Sequence, residues 1–160
     1  MAAAESLRER VAALNADYAR AIDDDRIEDW PEFFLDECLY KITTADNHRR
    51  GLEMGLVYAD SKGMLKDRVA ALREANVYER QRYRHIVGLP TILRWQGAEA
   101  EVESPFLVTR IMRDGTMDVF ATGRYLDRVV SAGADGALRY RERIVVCDSS
   151  RFDTLLALPL

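Results

Sequence analysis

Val77-Tyr-Glu-Arg-Gln-Arg-Tyr-Arg-His-Ile-Val-Gly-Leu-Pro90 is the stretch at which the chain changes its period. Before it, apolar residues recur at helical spacing; after it, they alternate. Read as extended chain, it puts Arg80, Arg82 and Arg84 on one face and Gln81, Tyr83 and His85 on the other, because side chains alternate along a strand. Three like charges side by side repel. They need carboxylates, a partner subunit or an anionic ligand nearby, or they stay solvated. The run is therefore either a salt-bridged structural seam or a docking surface.

On the C-terminal side the alternation continues. Arg84 to Arg94 and Ala98 to Met112 read as strands around a hairpin turn at Trp95-Gln-Gly97. A tight turn there sets Arg94 opposite Glu99. Glu99, Glu101 and Glu103 then form an outward acidic row, with Ala98, Ala100 and Val102 inward. Arg113-Asp-Gly-Thr116 contains Asp-Gly, a strong hairpin signal. Met117 to Val130 is the next strand, and Ser131-Ala-Gly-Ala-Asp-Gly136 the next turn. In the last strand, Ala137 to Cys147, Leu138, Tyr140, Ile144 and Val146 alternate with Arg139, Arg141 and Arg143.

The N-terminal side is helical. Leu7, Val11, Leu14, Tyr18 and Ile22 predict an amphipathic helix over residues 4–23, with Ser6 and Glu9 as a capping box. Asp23-Asp-Asp25 ends it. Asp25 with Glu28 repeats the capping pattern and starts a short helix carrying Ile27, Trp30, Phe33 and Phe34, with Pro31 in its first turns, where proline is tolerated. Cys38 to Thr44 is β-rich, and Ala45 to Gly51 reads as a polar loop. A third helix spans residues 61–75, with Leu65, Val69 and Leu72 on its apolar side.

Four long consecutive strands form a meander that twists and curls. One face must be covered, and the N-terminal helices are the available cover. The expected fold is α+β: a curved antiparallel sheet packed on N-terminal helices, like a cone, in a single domain over residues 1–160.

Composition narrows the function. With 48% hydrophobic and 31% charged residues, the chain reads as soluble and globular. Its net charge of −4, from 23 basic and 27 acidic residues, argues against nucleic acid as a partner. The first ten residues carry charges where a signal peptide needs an apolar region. No apolar run approaches the roughly 20 residues that span a bilayer. The expectation is a cytoplasmic protein without membrane attachment. Cys38 and Cys147, far apart in sequence, read as buried free thiols.

The usual catalytic sets are poorly represented. A Rieske cluster needs two cysteines and two histidines in paired short motifs. Neither cysteine here has a histidine near it. A mononuclear iron needs two histidines and a carboxylate; the chain has only His48 and His85, at unrelated spacing, and a zinc site fares no better. There is no Gly-x-Ser-x-Gly elbow and no glycine-rich phosphate loop. Acid–base chemistry is harder to exclude, because the mouth of a cone is a natural pocket. His85, Tyr40, Tyr58, Asp46 and Asp60 are the candidates to line one. The structural alternative makes His85 a hydrogen-bonded strand residue between arginines. The ending Asp153-Thr-Leu-Leu-Ala-Leu-Pro-Leu160 places four leucines in its last six residues, which must be tucked into the core or into a neighbour.

Several of these motifs together resemble one family. Tyr78-Glu-Arg-Gln-Arg-Tyr-Arg-His85 with Ile-Val-Gly-Leu-Pro90, Val146-Cys-Asp-Ser-Ser150 and the leucine-rich tail are similar to the small (β) subunit of Rieske-type aromatic-ring-hydroxylating dioxygenases. Trp30-Pro-Glu-Phe-Phe34, Thr44-Ala-Asp-Asn-His48 and Leu72-Arg-Glu-Ala-Asn76 extend the likeness over nearly the whole chain. Asp46-Asn-His48, Tyr58-Ala-Asp-Ser61 and the tail carry a closer match to the branch acting on aromatic acids such as terephthalate. Many members have a proline-containing stretch before the Arg-His pair and an asparagine soon after it. Here Tyr78-Glu-Arg80 and Gly88 stand in those places, which also favours the aromatic-acid branch.

The resemblance implies a fold of the nuclear-transport-factor-2 type and a heterohexamer of three large and three small subunits. It places the Rieske [2Fe-2S] cluster, the mononuclear Fe(II) and the substrate pocket on the large subunit, with electrons from NADH arriving through a reductase. This chain would hold no cofactor, metal or catalytic residue. Its contact or seam residues would be Arg80, Arg82, Arg84, His85, Cys147, Asp148, Leu155, Leu156, Leu158 and Leu160. The rival readings are a stand-alone acid–base isomerase or dehydratase of the same fold, and a ligand-binding module without a reaction.

Overall fold

The computed structural model describes residues 2–75, 80–151 and 156–160. Helix α1 (Ala2–Asp23) lays Leu7, Val11, Tyr18 and Ile22 against the core. It begins before Ser6, so Ser6 is not its cap. It ends in a C-cap turn in which the Arg26 N–H reaches back to Ala21 O at 2.8 Å and Asp25 takes φ 58°. The short helix predicted next is a 3₁₀ turn, Trp30–Phe33, with Pro31 at its start. Phe34 already belongs to strand β1 (Phe34–Thr44). The predicted polar loop holds a short helix, α2 (Ala45–Arg49), capped by the Thr44 hydroxyl, which accepts from Asn47 N. Strand β2 (Val57–Ala59) and helix α3 (Lys62–Ala75) follow.

The strand-rich half comprises β3 (Gln81–Val87), β4 (Thr91–Gln96), β5 (Glu99–Met112), β6 (Met117–Ser131) and β7 (Leu138–Cys147). The predicted strand from Arg84 to Arg94 is two strands, broken at Gly88-Leu89-Pro90. Both pair with β5: β4 along Glu99–Glu103 and β3 along Phe106–Met112. Pro105 sits at the changeover. It has no N–H to give a partner, and its carbonyl accepts from Gly88 N at 2.8 Å. A Cβ on Gly88 would stand 2.6 Å from the Pro105 Cγ. The hairpin turn is tighter than Trp95-Gln-Gly97, so Gln96 opposes Glu99 and Arg94 opposes Glu101.

The α+β class holds, but the curved antiparallel cone does not. The strands form one mixed sheet in the order β2-β1-β7-β6-β5-β3, with β4 also on β5. Its end strands β2 and β3 are not paired with each other. Strand β1 lies parallel to β7, with Tyr40 beside Arg143 and Thr44 beside Cys147. A parallel neighbour needs a long crossover; here the whole intervening chain supplies it. The meander β5-β6-β7 is antiparallel as predicted. Helix α1 packs on β3 and β7, and α3 on β1 and β2.

Candidate functional site

A depression of about 360 Å³ lies between Leu7 and Arg10 of α1 and Ala100, Val129 and Leu138 of the sheet. Around the second half of α1 the space between helix and sheet is filled by side chains. Tyr18, Trp30, Phe34, Tyr40, Tyr125 and Tyr140 are all fully buried there. Among them lies Arg143, also fully buried. Its inward direction is a register effect. The β6–β7 ladder shifts between Arg128–Glu142 and Val129–Tyr140, so Arg141 is an extra residue in β7. The bulge puts Tyr140 and Arg143 on the same inner face. The outward row Arg139, Arg141 and Arg143 expected from strict alternation therefore loses its third member.

Arg143 makes a two-point ion pair with Asp127, Nε to Oδ1 at 2.8 Å and Nη2 to Oδ2 at 2.7 Å. Nη2 also donates to Asn15 Oδ1 at 2.6 Å. The Tyr140 hydroxyl donates to the same oxygen at 2.6 Å, and Asn15 Nδ2 donates to Ser104 Oγ at 3.1 Å. The guanidinium carbon lies 3.9, 4.0 and 4.3 Å from the ring centroids of Tyr125, Tyr140 and Tyr18. Burial works against the arginine's charge, but the Asp127 carboxylate and the phenols outweigh it and hold its pKa well above the ordinary value. Burial likewise raises the phenols of Tyr40, Tyr125 and Tyr140 well above theirs. A fixed cation clasped by a carboxylate and aromatic rings neither gives nor takes a proton near neutrality. This centre is a packing device.

His85 is held by Asp23, the last residue of α1. Its Nδ1 lies 2.6 Å from Asp23 Oδ1, and its backbone N–H donates to Oδ2 at 2.9 Å. Neither side chain is more than 3% exposed. The pair ties β3 to the helix end. The other acid–base candidates are not gathered around His85. Tyr40 bonds Leu160, Asp46 pairs with Arg49 on exposed α2, Tyr58 lies on β2 at the far end of the strand order, and Asp60 is exposed. Partial burial, then Arg124 and Lys41, lowers the pKa of His48.

The tail is tucked into this chain. Leu156, Leu158 and Leu160 are buried; Leu155 lies outside the described residues. The hydroxyls of Tyr18 and Tyr40 donate to Leu160 O at 2.7 and 3.1 Å, and Arg68 Nη2 donates to Leu156 O at 2.8 Å. Trp30 Nε1 in turn donates to the Tyr18 hydroxyl at 3.1 Å. Cys147 is buried, and exposed Asp148 accepts from the Thr122 hydroxyl at 3.0 Å.

The donor set does not fit an iron centre. Cys147 neighbours Thr44 on β1, six residues along from Cys38, or about 20 Å of strand. Both thiols are free and buried. Among the described residues no three of His, Cys, Asp and Glu stand together as a metal would require.

Arg80, Arg82 and Arg84 are exposed. The acidic row of β5 is present and matched across the sheet: Glu99 with Arg141 at 2.7 Å, Glu103 with Arg124 at 3.3 Å and Glu101 with Arg128 at 3.9 Å.

The sequence profile of the family described as "Ring hydroxylating beta subunit" matches residues 17–154. The chain belongs to this family. This beta subunit is 54% identical over 151 residues to the terephthalate 1,2-dioxygenase terminal oxygenase component subunit beta 1 of a Comamonas species, covering 94% of this chain and 97% of that one. It is 40% identical to the anthranilate 1,2-dioxygenase small subunit of Burkholderia cepacia, over 89% and 88% of the two chains. Its structure superposes, with a TM-score of 0.90, on the beta subunit of a proposed aromatic-ring-hydroxylating dioxygenase from Novosphingobium aromaticivorans, 36% identical and 99% covered on both sides. The fold is of the nuclear-transport-factor-2 type, with a mixed sheet. This beta subunit is the structural, non-catalytic partner of a catalytic alpha subunit in an aromatic-ring dioxygenase. No helix among the described residues is long and apolar enough to cross a membrane.

Proposed function

We propose that the dioxygenase served by this chain is a terephthalate 1,2-dioxygenase. It would convert terephthalate, O2 and NADH to the cis-dihydrodiol dicarboxylate. The single observation that carries this reading is the 54% identity, over nearly the full length of both chains, to a terephthalate dioxygenase beta subunit. The chain works in the cytoplasm within a hexamer of three large and three small subunits, in contact with large subunits and with other copies of itself. The Rieske cluster and mononuclear iron belong to the large subunit, and a reductase brings electrons from NADH. The role of this chain is to be a rigid, filled support. Arg80, Arg82 and Arg84 meet carboxylates of a neighbour, and the segment from Cys147 to Leu160 stabilises the fold that carries them.

The test is oxygen uptake by the complex reconstituted with its large subunit and reductase. Terephthalate should drive O2 consumption and yield the dihydrodiol. Uptake driven by anthranilate or benzoate, with terephthalate inert, would refute the substrate.

A further inference from the structure

Three rows cross β3, β5 and β6 at one end of the sheet. Arg82 is paired with Ile111 and Ile111 with Met117; Arg84 with Thr109 and Thr109 with Val119; Ile86 with Leu107 and Leu107 with Thr122. Their neighbours Tyr83, His85, Val108 and Arg110 are buried on the other side. Alternation therefore puts these nine residues together on the outer face. Ile86, Met117 and Val119 are 62%, 69% and 62% exposed. Apolar side chains so bare, clustered beside guanidinium groups, mark a docking surface rather than scattered exposure.

Charge selects the occupant. Arg82 has no ion pair among the described residues, and Arg84 comes only within 3.9 Å of Asp23, which already holds His85. Arg151 lines an adjoining depression with Asp118, Val119, Thr122 and Ser149, and Asp118 is paired with Arg110. Arg82, Arg84 and Arg151 outnumber the exposed carboxylate of Asp148, which is bonded to Thr122, so this end of the face is cationic on balance. Its other end is the acidic row of Glu99, Glu101 and Glu103, already matched by arginines of β6 and β7. A second copy docking by the same face would set arginine on arginine, with Asp148 alone to offset them. A different chain, bringing carboxylates beside apolar side chains, fits.

We infer that this face, centred on Arg82, Arg84, Ile86 and Val119, receives the large subunit. The inference rests on the beta-subunit reading above and adds to it the surface and the chemistry of the contact.

The test co-expresses the full chain with its large subunit and measures capture of the chain on the tagged large subunit, with native mass of what is captured. The variant is Arg82→Glu with Val119→Asp, two exposed side chains without bonded partners among the described residues; Arg82→Ala is the milder companion. Thermal melting of each purified chain checks that it folds. Wild type should be captured, and capture should weaken as salt rises. The folded double variant should be captured at least tenfold less, and Arg82→Ala severalfold less. Folded variants captured at the wild-type ratio would overturn the inference. So would variants that lose contacts between copies of this chain while each still binds a large subunit. Failure of the wild type itself to be captured would instead reject the reading on which the inference rests.

Discussion

Arg143 and Asp127 are joined by two parallel hydrogen bonds of 2.8 and 2.7 Å with neither side chain exposed to solvent. The pair occupies the interior that an acid–base enzyme of this fold would keep open for substrate. Removing one partner leaves the other charge buried and alone, which costs about 3–5 kcal/mol. Asp127→Ala should therefore lower stability far more than the double replacement of Asp127 and Arg143 by apolar residues. Urea unfolding of the three chains checks this; equal losses would show that the ion pair is not the organising contact.

The tail acts first on folding. Tyr18→Phe and Tyr40→Phe each remove a hydroxyl bonded to Leu160 O, at about 1 kcal/mol apiece. Loss of residues 155–160 should unfold the chain and abolish assembly for that reason. Thermal melting read beside co-purification separates the two effects. A truncated chain that still assembles into a full hexamer would refute the role given to the tail.

Releasing His85 should loosen one strand. His85→Ala removes the ring bond to Asp23 and leaves that buried carboxylate with the backbone N–H of residue 85 and a distant guanidinium, costing about 1–3 kcal/mol. Hydrogen exchange should speed up in Gln81–Val87 while β6 and β7 stay protected. Unchanged exchange in β3 would show that the pin holds nothing.

The two thiols should be unreactive in the folded chain. Burial, with Asp148 adding to it, pushes Cys147 up to about 12, and burial pushes Cys38 up to about 11. A raised thiol pKa means the reactive thiolate is absent well above pH 7. Alkylation at pH 8 should label neither cysteine in the native chain and both in denaturant, as mass spectrometry would show.

Gly123 stands where no side chain fits, since a Cβ there would lie 2.0 Å from Val146 O. Gly123→Ala must push β6 away from β7, at a cost of about 1–3 kcal/mol or more. A melting temperature equal to that of the wild type would contradict the close approach.

The meander β5-β6-β7, α1 and α3 were legible because each carries a long run at one period between clear turn signals. What the sequence hid was set by contacts distant along the chain. The parallel pairing of β1 with β7 joins residues about a hundred apart, and no local pattern announces it. The three-residue β2 is too short to show a period. The bulge at Arg141 breaks strict alternation, and so moves Arg143 from an expected outer row to the centre of the core. His85 was readable as a strand residue, but its partner Asp23 looked only like the end of a helix. Arg80, Arg82 and Arg84 were readable only as a salt-bridged seam or a docking surface; all three are exposed.

The central claim is that this chain holds no chemistry of its own and exists to assemble with a large subunit that does. Native mass spectrometry with iron analysis, on the chain alone and after co-expression with the large subunit, tests it directly. The account predicts a metal-free chain without turnover when alone, and an iron-containing assembly with large subunits when together. A chain that stays apart from the large subunit and by itself isomerises or dehydrates a small molecule would contradict it.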